Sequence, residues 1–467
     1  MGIRVYNTLT RRKEDFQPQR ADRVGIYVCG PTVWDYMHIG NARPFVFFDV
    51  VRRYLKYRGM AVKYVQNFTD VDDKIINRAR ALDIDPMDLA EQYIKVYFED
   101  AAALGVEKAD VHPRASDHIP EIIVFIQDLI DKGHAYEVDG DVYFSPSSLS
   151  QYGQLSGQSM DDLRAGARVE VDERKRSPED FALWKKQKPG EPAWPSPWGP
   201  GRPGWHIECS AMVREHLGAT ADIHGGGSDL VFPHHENELA QSLAANGAPL
   251  ANYWVHNAFL NIDGEKMSKS LGNFIVPHEI IKAYHPEALR YFLLSAHYRS
   301  PLNFTEDQLK SAEAALDRLY NALTNLRQWV SVSGREAMTA EEAEALTRLR
   351  AYRDKFIATM DDDFNTADAI SVLFELTRDV HAGLGPGSSK VLLRAVIDLF
   401  HEFGDVLGLL RRETAGPLEE EIEGLIARRQ EARGRRDWAE SDRIRDELAG
   451  RGIVLEDTPQ GVRWKRK

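Results

Sequence analysis

Cysteine is nearly absent from this sequence: Cys29 and Cys209 are the only two, and they stand far apart. That excludes a small disulfide-stapled secreted domain. Each thiol is then a small buried hydrophobe, a metal ligand or a catalytic group. No apolar run reaches the ~18 residues of a membrane helix, and the greasiest stretch, 44–51, is broken by Asp49. Arg4, Arg11, Arg12 and Lys13 surround no apolar core, which argues against a secretory leader, and Tyr6 breaks the myristoylation pattern. Positive charge is in deficit, 59 Lys and Arg against 72 Asp and Glu, a net −13. A general polyanion binder is therefore not expected, although a local basic patch is still allowed. The expectation is a cytoplasmic protein with no membrane partner.

What is present is a globular composition, 28% charged and 43% hydrophobic over 467 residues. At roughly 100–200 residues per domain this suggests two to four domains. Residues 24–29 form a short apolar β-run closed by Gly30-Pro31. Residues 41–58 have an amphipathic helical pattern, with Val46, Val50, Tyr54 and Tyr57 on one face, and 62–66 reads as a second strand. Strand, helix, strand implies a parallel sheet, whose ligands bind beyond the carboxyl ends of its strands. Residues 70–104 and 119–132 look helical, and 136–144 reads as a hairpin turning at Asp139-Gly140. Residues 145–204 lack a clear pattern and read as an ordered insertion, too aromatic for a disordered linker. A strand is expected over 254–262 and helices over 305–410, with a helix–helix loop at 383–389. Five glutamates in 413–423 precede an arginine-rich tail.

Two short motifs carry chemistry. His38-Ile39-Gly40-Asn41 lies between a strand and a helix N-terminus, where exposed N–H groups and the helix dipole favour an anion. Lys266-Met267-Ser268-Lys269-Ser270 follows an Asp-Gly turn, and two lysines on a Ser-rich loop suit developing phosphate charge. Together these resemble the two signatures of class I aminoacyl-tRNA synthetases. The longer stretches 27–41, 204–212, 222–238 and 266–273 resemble, in order and spacing, the cysteinyl-tRNA synthetases, over nearly the whole chain. One departure is Asn41, where many class I enzymes carry a second histidine.

The resemblance implies an α/β fold: a Rossmann-like parallel-sheet catalytic domain over 1–304, with an insertion at about 115–225 and the lysine-loop region at 263–304. A helical bundle that supports tRNA would follow at 305–410, then an acidic linker at 411–424 and a small anticodon-binding module at 425–467. Cys29, Cys209, His234 and Glu238 align with the family's zinc ligands. Their chemistry also fits: two thiolates, an imidazole and a carboxylate suit tetrahedral Zn²⁺, and His234 and Glu238 stand one helical turn apart. A zinc peptidase is excluded, because the second histidine of His-Glu-x-x-His would fall at Leu239.

The implied reaction is activation of L-cysteine with ATP and Mg²⁺, then transfer to tRNA(Cys) by a chain that is monomeric by family default. A purely steric pocket separates near-isosteres such as serine and cysteine by only ~10²-fold. A thiol of pKa ~8.5, by contrast, is deprotonated outright on zinc. His38, Gly40 and Asn41 are assigned to ATP, and Lys266 and Lys269 to the departing phosphates. Trp205, His224, Thr32 and Asp229 are expected around the amino acid, with His235 only supporting the ligand helix. Arg433, Trp438, Asp442 and Asp457 are expected to meet the anticodon. The alternatives are a cysteine-activating ligase that transfers to an amino sugar, against which the basic tail argues, and a noncatalytic tRNA-binding paralogue.

Overall fold

A computed structural model describes residues 2–158, 174–266, 274–412, 417–451, 453–458 and 461–466. The chain divides into two units, Met1–Leu410 and Arg411–Lys467.

The first unit opens with an antiparallel hairpin, β1 (Arg4–Asn7) and β2 (Arg12–Asp15). Next, β3 (Arg23–Val28), α1 (Ile39–Tyr57) and β4 (Ala61–Gln66) form the expected unit, with β3 and β4 parallel. Val24, Ile26, Tyr27 and Val28 are all buried, as a strand covered on both faces requires. The helix departs from the amphipathic expectation. Buried residues surround its axis from Ala42 to Leu55, and Arg43, Asp49, Arg52 and Arg53 are among them. These charges are tolerated because each meets a partner; Asp49, for example, pairs with Arg53 at 2.7 Å and Arg290 at 2.6 Å.

The stretch 70–104 is two helices, not one. α2 (Asp73–Leu82) stops at Asp83, whose φ of 55° is left-handed, and α3 (Pro86–Ala103) restarts behind the Asp85 cap. α4 (Ile119–Asp131) leads into the insertion's antiparallel sheet, β5 (Ala135–Val138), β6 (Asp141–Phe144), β7 (Phe181–Lys186) and β8 (Gly201–Pro203). The hairpin turns at Asp139 and Gly140 as expected, with φ of 53° and 91°. β7 and β8 supply order where no pattern was legible, and Trp184 of β7 is fully buried against Phe125, Val142 and Phe144.

α5 (Trp205–Leu217) returns the chain to the main sheet through β9 (Ala221–Gly227), followed by α6 (Glu236–Asn246) and β10 (Ala251–Asn257). The sheet is parallel, in the order β10-β9-β3-β4. β9 rejoins the sheet at Ala221, paired with Ala251 of β10.

The single strand expected over 254–262 is broken. β10 ends at Asn257, and β11 (Leu260–Ile262) joins a separate sheet with β12 (Glu265–Lys266) and β13 (Leu302–Phe304). Between them, the Ala258 and Phe259 carbonyls accept from the Arg43 side chain. α7 (Pro277–Ala283) and α8 (Pro286–Leu294) precede β13. The expected helical region follows as α9 (Glu306–Val332), α10 (Ala340–Asp361), α11 (Thr366–Gly383) and α12 (Lys390–Leu407), started by caps at Thr305, Thr339, Asn365 and Ser389. None of the described helices is long and apolar enough to cross a membrane.

The second unit pairs α13 (Pro417–Gly434) with α14 (Trp438–Gly450) and adds an unforeseen antiparallel hairpin, β14 (Ile453–Thr458) and β15 (Gly461–Arg466). Its small core includes Ile422, Leu425, Ile426, Ile444 and Leu448. α13 begins inside the stretch read as an acidic linker.

Candidate active site and metal centre

A cavity of about 510 Å³ opens where the parallel strands end, and its walls come from segments that leave β3, β4, β9 and β10. His38 is the N-cap of α1: its Nδ1 accepts the Asn41 N–H at 3.1 Å. The ring proton is thereby assigned to Nε2, which makes that nitrogen a donor. His38, Gly40 and Asn41 all line the cavity, as does Phe274, whose ring meets His38 edge-on at 5.3 Å. Lys266 ends β12, and its side chain, like the whole of Lys269, lies outside the described residues.

The four expected metal donors converge. Cys29 leaves the end of β3, Cys209 sits on α5, His234 lies in the turn before α6, and Glu238 is on that helix. Cys29 Sγ is 3.8 Å from Cys209 Sγ and 3.5 Å from Glu238 Oε1, and His234 Nε2 is 2.7 Å from the same oxygen. Tetrahedral Zn²⁺ with bonds of ~2.3 Å to sulfur would hold two thiolates ~3.8 Å apart, so the sulfurs already stand at that separation. The cluster fits a metal ion.

Electrostatics points the same way. Burial, Cys209 and Glu238 push the Cys29 thiol well above its usual value, while the hydrogen bond from Cys29 draws Cys209 down to about 6. Burial opposes a charge on His234, but Glu238 and Cys209 outweigh it and raise the imidazole to about 10. Glu238 is itself buried, yet His224 and His234 hold it well below the usual carboxylate range. A single proton on His234 thus balances charge that a dication would balance better.

Histidine surrounds the cluster more densely than the sequence suggested. Rather than lining the cavity, His224 is fully buried behind the donors, with Nε2 at 2.9 Å from Glu238 Oε2. Far from only supporting its helix, His235 places Nε2 at 3.3 Å from Cys29 Sγ. Its Nδ1 meets His256 Nε2 at 2.7 Å, and His256 Nδ1 lies 2.8 Å from Thr8 Oγ1. His206 approaches His234 at 3.0 Å. Cys29, His224, His235 and Glu238 therefore make a second donor set sharing two members with the first. Cys29, Cys209 and His234 reach the cavity, whereas His224, His235 and Glu238 do not, so the first set is the one open to a substrate. The sequence reading gave no role to His206 or His256; for His256 an isolated histidine within an apolar strand was the available signal.

Trp205, Thr32 and Asp229 line the cavity, and the Trp205 ring stacks on His234 at 4.1 Å. Thr69, also in the wall, was not foreseen; its hydroxyl donates to the buried Glu208 at 3.2 Å. In the second unit Trp438 is 59% exposed. Arg433 lies at the end of α13, Asp442 pairs with Arg445 at 3.0 Å, and Asp457 is on β14 with its side chain outside the described residues. The expected basic face is partly neutralised, because Arg428 and Arg443 both bind Glu440.

Comparisons with known proteins agree with this geometry. Residues 15–314 match the family described as the tRNA synthetases class I (C) catalytic domain, 355–411 a DALR domain, and 415–464 a cysteinyl-tRNA ligase anticodon binding domain. The fold resembles solved Mycobacterium tuberculosis methionyl-tRNA synthetase in complex with methionyl-adenylate, with a TM-score of 0.59 at 15% identity over 83% of this chain and 89% of that one. A putative arginyl-tRNA synthetase from Campylobacter jejuni gives 0.56 at 14% identity, over 85% and 95%. Fold and site together define a class I aminoacyl-tRNA synthetase. The chain is also 58% identical to a cysteine–tRNA ligase of Symbiobacterium thermophilum over 470 residues, 100% of each. It belongs to the cysteine–tRNA ligase family.

Proposed function

We propose that this chain activates L-cysteine with ATP and transfers it to tRNA(Cys), with Zn²⁺ at Cys29, Cys209, His234 and Glu238 selecting the thiol. The observation that carries this reading is a shared space: three of those donors and the His38–Asn41 turn line one cavity. Zn²⁺ held by these donors would supply a soft cation that favours a substrate thiolate over serine's hydroxyl.

The chain's own residues do the rest. The N-terminus of α1 and the Nε2–H of His38 receive ATP phosphate, and Gly40 and Asn41 border the same site. Asp229 is suited to the substrate's ammonium group, and Trp205 and Thr32 bound the amino-acid end. The cysteine carboxylate attacks the α-phosphorus in line, and Lys266 and Lys269 offset the charge of the leaving pyrophosphate, with Mg²⁺ accompanying ATP. No covalent enzyme intermediate is needed, so positioning and electrostatics set the rate. The match of residues 415–464 to an anticodon-binding domain favours tRNA over an amino sugar as acceptor.

The test is ATP–pyrophosphate exchange and tRNA charging, each with cysteine and with serine. Cysteine is expected to support both. Serine exchange within about tenfold of cysteine's would sink selection by metal.

A further inference from the structure

The helix that carries His38 and Asn41 also grips the sheet that carries Lys266. Arg43 lies two residues beyond Asn41 and is 1% exposed, and among the described residues no carboxylate pairs with it. Its two amino groups serve different segments. Nη1 donates to the carbonyls of Ala258 at 2.8 Å and Phe259 at 3.3 Å, and Nη2 to those of His297 at 3.1 Å and Ser300 at 2.7 Å.

Those segments run directly into β11 and β13, which pair in parallel from Leu260↔Leu302 to Ile262↔Phe304. β11 then turns at Asp263-Gly264 into β12, which ends at Lys266. The turn is tied back to β13, the Gly264 N–H donating to Asn303 Oδ1 at 2.7 Å. Beyond the lysine motif, Ile275 meets the same helix, its carbonyl accepting the Ile39 N–H at 3.0 Å. The residues that flank the lysine motif on either side are thus both held by the first turns of α1.

We propose that Arg43 is a positioning residue for adenylate formation: it sets the β11–β13 pair against the N-terminus of α1, so that the lysines and the His38–Asn41 turn address one ATP. Burial without a counter-ion draws its pKa down to about 10, a desolvation cost that an apolar side chain would avoid. Such a side chain could not tie two segments together. Nor could lysine, whose compact ammonium lacks the planar fork that reaches four carbonyls.

This inference rests on the assignment of Lys269 to the departing phosphates, and the experiment separates the two. Cysteine-dependent ATP–pyrophosphate exchange is measured on full-length Arg43→Lys, Lys269→Ala and the double variant, with zinc content and melting temperature alongside. For Arg43→Lys, kcat is expected to fall at least ~10-fold, with the KM for cysteine within about twofold and zinc unchanged. The double variant is expected within about threefold of the worse single, because both remove one aligned contact. Exchange at the wild-type rate by Arg43→Lys, or losses that multiply, would overturn the role of Arg43. A Lys269→Ala enzyme with full exchange would instead overturn the lysine assignment. Should Arg43→Lys fail to fold, Asn303→Ala, which loosens the same sheet at its half-buried far end, is expected to show the same pattern more mildly. A folded Asn303→Ala enzyme with unchanged kcat counts against the proposal.

Discussion

Cys29 and Cys209 are 180 positions apart in the chain, yet their sulfurs stand 3.8 Å from one another. The first is fixed where β3 ends, its N–H donating to the Gly225 carbonyl of β9 at 3.1 Å, and the second rides on α5. No disulfide joins them, so the pair is held by the fold and not by a covalent link. Cys209→Ala should therefore fold and lose metal. Zinc after dialysis is expected to drop from about one per chain to near zero, with cysteine-dependent exchange down by ~10²-fold or more. Metal analysis of the purified variant checks this, and full zinc retention would remove Cys209 from the donor set.

Metal affinity should rise with pH. His234 is raised to about 10 and therefore carries a proton throughout the neutral range, and the Cys29 thiol is pushed up in the same direction. Cys209, at about 6, has already given up its proton by pH 7. Binding must displace the protons on His234 and Cys29, so the zinc association constant is expected to climb by ~10–100-fold per pH unit between roughly pH 6.5 and 8.5. Competition with a chromophoric chelator across that range measures it. A flat profile would show that the donors are already deprotonated.

The sequence made some parts of this molecule legible and hid others for identifiable reasons. The β3–α1–β4 unit was readable because its strands are short apolar runs punctuated by Gly30 and Gly59. β9 was not, because it ends in Gly225, Gly226 and Gly227, which no strand propensity favours. The glycine at 225 is a packing requirement, since a Cβ there would sit 2.0 Å from the Phe48 ring. A strand chosen for closeness to a helix looks like a turn when read alone. The all-round burial of α1 was masked by Arg43, Asp49, Arg52 and Arg53, whose partners come from segments remote in the chain. The donor set was legible through its residue types and its likeness to a family. The second ring of histidines depends on tertiary packing that one sequence does not display: His224 and His256 come from neighbouring strands, His206 from α5 and His235 from the turn before α6.

Asp49 shows how such masked charges act on stability. Burial opposes its ionisation, but Arg290 and Arg53 outweigh that and hold its carboxyl below the usual carboxylate range. Asp49→Asn removes the carboxylate that Arg290 and Arg53 share, although Arg53 keeps Glu107 at 2.8 Å, and is expected to cost about 3 kcal/mol at neutral pH. The folded pKa lies below the unfolded value of ~3.9, so the contribution is complete above that value and lost as pH falls through the folded one. Urea unfolding of both proteins should therefore show a wide gap at pH 7 that narrows below about pH 4. A gap independent of pH would mean that the loss is one of packing rather than charge.

Trp438 offers the cleanest separation between tRNA recognition and chemistry. It begins α14 with 59% of its surface exposed, outside the small core formed by Ile422, Ile444 and Leu448. Alanine at that position takes nothing from that core and improves helix propensity, so the unit should keep its stability. Stacking of an unpaired base on an aromatic ring contributes ~1–3 kcal/mol, which sets the expected rise in the tRNA KM at roughly 5- to 150-fold. ATP–pyrophosphate exchange, which precedes transfer to tRNA, should be unchanged in the same variant. Asp442, by contrast, is held by Arg445 at 3.0 Å and must exchange that partner to meet a base. Asp442→Asn is therefore expected to have a smaller effect than Trp438→Ala. Charging kinetics with tRNA(Cys) distinguish the two, and a tRNA KM unaltered by Trp438→Ala would take the ring out of the interface.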